Sequence, residues 1–324
     1  IEPLVEELKV AWNGFHLRSY QSPDAPVLVR LALLCVGCDI PASRKLCGFL
    51  GHSATMGCNK CTKAFLGRVG EKNYGDFNLS EWNLRNNTPH RKLVQKVMKA
   101  KTKGSREELE RKYGIRYSVL LELHYFDPVR MTILNPMHNL FLGSAKHMLK
   151  ISNATKTLRD EHLGMTEEKI ELIRCPSDVG KLPQKFSSSF GSFTAVQWKN
   201  WTILFSLFAL KDVLKSEDLE CWRAFVLACK NLCTRTLKKT NVQLSQRLLS
   251  FCERFERSDV IIAKMFSVNQ VRKRTKDQLK KIHSILRALI YLSRLYGEDR
   301  VTPNMHMHAH LDECIKDFGP IYSF

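Results

Sequence analysis

Beyond Thr194 the apolar positions recur with a helical period. In AVQWKNWTILFSLFALKDVL, EDLECWRAFVLACKNLCTRTL and NVQLSQRLLSFCERFER they fall at i, i+3, i+4 and i+7, one face of an α-helix. KDQLKKIHSILRALIYLSRLYG repeats the pattern and ends in a Gly suited to a C-cap. TPNMHMHAHLDECIKDFG predicts a last helix, with Thr302 as N-cap, Pro303 in the first turn and Gly319 as the stop. The first part reads differently. PLVEELKVAWN (3–13) starts helically after a Pro, and APVLVRLALLC (25–35) is short, apolar and β-branched at its start, a buried strand. Pro41 prevents that strand from continuing. Gly and Asn make the stretch from Leu66 to His90 irregular. Leu93, Val94, Val97 and Met98 then take helical spacing among lysines, and 127–150 passes from a short strand to a helix. The layout is a mixed α/β first part followed by a helical block, with no internal repeat.

Composition adds a partner class. The 324 residues are 44% hydrophobic, enough for a full core, and carry a net charge of +19. That excess points to a polyanion, nucleic acid first, because each Lys or Arg beside a phosphate releases a counterion. A membrane surface is the rival, but no apolar run approaches the ~18 residues of a spanning helix. The basic runs are 91–116 and 264–283, in which Arg91, Lys92, Lys99, Lys101, Arg272, Lys273 and Arg274 are candidate contacts to a DNA backbone, with Lys45 further upstream. The bland alternative is a solvated helix face. Trp198 and Trp201 follow helical spacing and read as core.

The 11 cysteines are scattered without a disulfide rhythm, and the start lacks the basic and apolar regions of a signal peptide. Both point to a reducing compartment. The chain does not start with Met and breaks off at YSF within apolar material, so it reads as a fragment.

Two features carry metal chemistry. Cys58 and Cys61 form a Cys-x-x-Cys pair, and His306, His308 and His310 share the last helix. Which two imidazoles ligate is open; His306 and His310, four apart, share a face, whereas His308 points elsewhere. Cys314 lies on the same face. Two thiols and two imidazoles make a closed, structural Zn²⁺ set that would pin an early loop to a late helix. A thioredoxin-like pair fits poorly, for want of a strand before it and a helix opening on it. A zinc deaminase needs His-x-Glu and a Pro before the first Cys, and Gly57 stands there. Asp39 follows the apolar run, where α/β sheets build active sites. On its own it reads as a turn or cap residue, since one carboxylate cannot hold two cations.

CDIPASRKLCGFLGHSATMGCNKC, NPMHNLFLGSAKHML, FTAVQWKNWTILFSLFALKDVL and TPNMHMHAHLDECIKDFGPIYSF, in that order, resemble the transposase of CACTA (En/Spm, Tnp2-type) DNA transposons, with a distant similarity to the RAG recombinase core. The resemblance covers most of the chain. It implies a partial RNase H-like α/β fold with a large all-helical insertion and a zinc-binding element. It also implies a DDE/D triad, cut-and-paste transfer with two Mg²⁺ (or Mn²⁺) ions, and double-stranded DNA, transposon ends and target, as partner. A nuclear location and a homo-oligomer on DNA follow from the same likeness. Asp39 matches the family's second catalytic acid; the first is expected before residue 1 and the third after residue 324. Cys58, Cys61 and the late histidines match the recombinase's zinc elements, and His138 matches the transposase family's Asp-Pro-Met-His motif. Two positions depart from the pattern: Asn135 stands for the Asp of that motif, and Val196 for an acid before Gln-Trp-Lys.

On this basis residues 1–62 are expected to form part of the catalytic core with the Cys-x-x-Cys loop, and 63–150 a basic linking region with further core elements. Residues 151–300 would be the helical insertion, and 301–324 a His-rich helix returning to the core. The chain, with one acid of three, is expected to be catalytically silent. The other expectation is a non-enzymatic, zinc-stabilised DNA-binding or interaction protein derived from such a transposase.

Overall fold

In the computed structural model, which describes residues 1–20, 22–68, 70–75, 82–155, 158–175, 179, 186–233 and 296–318, Pro3 opens helix α1 (Glu2–Asn13) and Val5 and Ala11 are its buried positions. Two compact units result: Ile1–Leu66 with Trp82–Ile133, and Gly67–Glu81 with Leu134–Phe324.

The first unit contains an antiparallel hairpin, β1 (Phe15–Ser19) and β2 (Ser22–Val29), with Phe15 opposite Val29 and Leu17 opposite Val27. This corrects the expected strand at 25–35. The strand starts earlier, stops at Val29, and Val27 and Leu28 are exposed rather than buried. A short apolar run does not distinguish a buried strand from one face of a hairpin. Among the described residues this hairpin is the one sheet, and the rest is helix and loop, so the elements described do not amount to an RNase H-like layer. Asp39 comes not from a strand end but from a single parallel bridge, Val36 with Thr132. It caps α2 (Ile40–Cys47).

Helix α3 (Asn87–Met98) starts where the Asn86 side chain accepts from the Thr88 amide, and α4 (Lys103–Tyr113) where Thr102 accepts from Ser105. The break at 99–102 divides the basic run 91–116 between the two helices. Val94 and Val97 face a core with Val5, Cys47, Phe49, Ile115, Leu123 and Phe126. Each large side chain so buried contributes about 1.5–3 kcal/mol.

The second unit is helical. A π-helical segment, Met137–Ala145, runs into α5 (Lys146–Ala154), followed by α6 (Asp160–Glu171) and the short α7 (Phe186–Ser189). α8 (Ala195–Asn200) begins at a capping box of Thr194 and Gln197 and passes through a π turn (Trp201–Phe205) into α9 (Ser206–Leu210). Then come α10 (Ser216–Leu232), α11 (Pro303–Met307), a 3-10 turn (His308–His310) and α12 (Leu311–Phe318). The periodic segments 241–257 and 276–295 lie outside the described residues. Trp198 and Trp201 are fully buried, as core residues. A chain of ring contacts joins Phe186 to Trp201 (5.0 Å), Trp201 to Trp222 (5.4 Å), Trp222 to Phe225 (5.7 Å) and Phe225 to His308 (6.5 Å). Among the described residues no helix is long and apolar enough to cross a membrane.

Candidate metal centre

The Cys-x-x-Cys loop is built from backbone hydrogen bonds. Cys58, Asn59, Lys60 and Cys61 are all buried. The Lys60 amide donates to Cys58 Sγ at 3.3 Å, and the Lys63 amide hydrogen-bonds the Cys61 thiol. Each sulfur thus receives an N–H from two residues on, which turns both Sγ atoms to the same side of the loop. Lys60 Nζ is anchored on Val129 O at 2.6 Å, and the Arg85 amide on Lys60 O at 2.8 Å.

The Arg85 guanidinium, also buried, lies behind the loop. Its Nε reaches Cys58 O (2.9 Å) and Cys61 O (3.1 Å), and its Nη2 reaches Met56 O and Tyr113 O (both 3.0 Å). Gly114 ends α4 at φ 65°, and a Cβ there would lie 2.0 Å from Met56 O. Only glycine allows that approach.

The imidazoles come from α11 and the turn after it. Thr302 Oγ1 accepts from the Met305 amide and Pro303 fills the first turn, as the sequence predicts. The His306 and His310 rings are 5.3 Å apart. His308 turns to the opposite side, where its Nε2 meets Ser144 Oγ at 3.0 Å and its ring stacks on Phe225. Burial holds the His308 pKa down to about 3, so the ring is neutral. The same helix is fixed at Asn304, whose carbonyl accepts from Asn139 Nδ2 (2.9 Å). Its side chain fits because Gly143 has no Cβ, which would lie 2.3 Å from Asn304 Nδ2. Glu313 Oε2 lies 3.4 Å from His310 Nδ1, an ion-pair distance when the ring is protonated.

Cys58, Cys61, His306 and His310 are all buried, and their ligand atoms all lie within 4.8 Å of one another. A tetrahedral Zn²⁺ with Zn–S of 2.3 Å and Zn–N near 2.0 Å has ligand–ligand edges of roughly 3.3–3.8 Å. The four donors are therefore within a small adjustment of that shell, and two thiolates with two imidazoles is a donor set zinc prefers. The group can hold a metal ion such as zinc. The Cys61 thiol is pushed well above its ordinary range, first by its contact with Cys58 and then by burial, while the Lys63 amide and Arg85 act in the opposite sense. Two adjacent buried thiolates repel, and a dication between them removes that repulsion.

The other sequence candidates stand apart from this group. Asp39 is exposed, and its Oδ1 accepts from the Ala42 amide at 2.7 Å, a helix cap. Lys45, Lys92, Lys99 and Lys101 are exposed. Arg91 is half-buried and donates to Leu121 O (2.7 Å), Leu123 O (3.1 Å) and Phe126 O (2.7 Å), tying α3 to the turn at 119–126. Arg272, Lys273 and Arg274 lie outside the described residues. Asn135 Oδ1 accepts from the Met137 and His138 amides, a capping task that Asn performs as well as Asp. Arg85 and Glu313 escaped the sequence reading; the only sequence signal for Glu313 is its place three residues after a candidate ligand.

No protein-family model and no curated protein matches the chain.

Proposed function

We propose that the chain is part of a CACTA-type DDE/D transposase in which a zinc ion on Cys58, Cys61, His306 and His310 has a structural role and the exposed lysines track DNA. The observation that carries it is the convergence of those four donors, expected from the motif order and brought within 4.8 Å of one another in the structure. A fully protein-ligated, buried cation has no open position for substrate, so its role is to hold the Cys58–Cys61 loop and the histidine helix together.

Magnesium or manganese chemistry needs several carboxylates around paired cations. Asp39, exposed and capping α2, does not fit that role by itself, so we propose that the chain is silent in cleavage. Magnesium-dependent nicking of duplex DNA by the purified chain, lost in Asp39→Asn, would contradict this. The cap at Asp39 favours a second reading, a non-enzymatic, zinc-stabilised DNA-binding protein of the same descent. Both readings place the protein on double-stranded DNA in the nucleus, with a homo-oligomer on DNA as the working assembly. Both require electrostatic DNA binding: log affinity should fall with log salt by about 0.9 per phosphate contacted. A slope near zero would remove DNA as the partner.

A further inference from the structure

Removing two buried thiols from water and turning them the same way needs a rigid loop, yet residues 54–61 contain no regular helix or strand. Their backbone carbonyls must find donors elsewhere. Arg85 supplies them. One buried side chain satisfies Met56 O, Cys58 O and Cys61 O, and at the same time Tyr113 O at the end of α4. It thereby ties the peptide before the first thiol, both thiol-bearing residues and the neighbouring helix to one rigid plane. Guanidinium geometry is required, because an ammonium on a flexible stem cannot place donors along two edges. The Arg85 backbone takes part as well, its amide donating to Lys60 O inside the same loop. The guanidinium also lies 5.8 Å from the Phe49 ring, which covers it from the core side.

We infer that Arg85 is the positioning residue of the metal centre: its multidentate grip on the Met56, Cys58 and Cys61 carbonyls preforms the thiol half of the site before metal arrives. This rests on the metal reading above and adds a claim that reading does not contain. The loop is not folded by the ion, as in a zinc finger, but is held ready for it. Lysine at this position keeps the charge and loses the grip, which separates positioning from simple charge balance.

The test uses the whole chain as wild type, Arg85→Lys and Arg85→Met. Zinc affinity is read by competition with a chromophoric chelator, and amide exchange is read in the metal-free proteins. Arg85→Met should bind zinc about 10–100-fold more weakly, the range for outer-shell partners of metal ligands. Arg85→Lys should recover less than half of that loss on a logarithmic scale. In metal-free wild type the amides of Lys60 and Lys63 should be protected; in both variants they should exchange at least about tenfold faster, while those of α10 keep their protection. Loss of protection in α10 as well would mark Arg85→Met as unfolded and leave the decision to Arg85→Lys. Zinc binding by Arg85→Lys within threefold of wild type, or unprotected loop amides in the metal-free wild type, would overturn the inference. A wild type that takes up no zinc would instead overturn the metal reading, and with it any positioning role.

Discussion

The stretch from Cys38 to Cys61 contains two sets of metal-competent side chains that the fold treats in opposite ways. Asp39 stays on the surface, and one of its oxygens is used by the first turn of α2. Cys58 and Cys61 are buried, receive amide protons on both sulfurs, and are backed by Arg85. A carboxylate that solvent and a helix terminus satisfy gains little from a cation. Two thiols enclosed together are relieved by one. Local demand for a partner, rather than proximity in sequence, sorts the two.

Substitutions break or sharpen that contrast. The largest effect is expected at the thiols: Cys58→Ser should weaken zinc binding by more than about 100-fold, beyond the range of outer-shell partners. Chelator competition checks it, and an unchanged affinity would dissolve the contrast from the metal side. Gly114→Ala comes next. A Cβ 2.0 Å from Met56 O, at φ 65°, should cost about 3 kcal/mol in urea unfolding. A loss under about 1 kcal/mol would show that the loop is not held against α4.

A third test is acid sensitivity behind the loop. His90 is buried against Phe49 (5.0 Å), and neither of its ring nitrogens has a hydrogen-bond partner among the described residues. Burial first, then Arg85 and Arg91, lower its pKa to about 3. The folded state therefore binds fewer protons than the unfolded state, whose imidazole titrates near 6.5. The stability of the neutral ring is complete above about pH 6.5 and is lost as pH falls toward 3. At about 1.4 kcal/mol per pH unit, the loss between pH 6.5 and 5 approaches 2 kcal/mol. His90→Phe should flatten that decline in urea midpoints; an identical acid limb would contradict the assignment. The smallest effects belong to Asp39. Asp39→Ala should cost about 1 kcal/mol as a lost cap, and Asp39→Asn only a few tenths, because Asn caps equally well. Thermal melts distinguish the two. A large stabilisation by Asp39→Asn would instead point to a strained acid kept for chemistry.

How much of this was legible depended on how local the signal was. Spacing alone pairs Cys58 with Cys61 and favours His306 with His310 while leaving the choice among the three imidazoles open, and the structure brings those four together. The turn of His308 away from the other two imidazoles and the cap at Thr302 were equally local. Arg85 was not legible, because an arginine whose partners are backbone carbonyls leaves no pattern in side-chain chemistry. Arg91 shows the same limit from the other side: it reads as one more base in a charged run, yet its guanidinium closes the turn at 119–126. The strand expected at 25–35 differs from β2 (Ser22–Val29) for another reason. Apolar content reported β structure correctly but gave no information about burial, which depends on what covers the hairpin.

The central claim is that one zinc ion sits on two sulfurs and two nitrogens. X-ray absorption at the zinc edge of the purified chain, with metal content measured on the same sample, tests it directly. The account predicts about one zinc per chain, with two sulfurs near 2.3 Å and two nitrogens near 2.0 Å. A sample without stoichiometric metal, or a shell of oxygen and nitrogen alone, would contradict it.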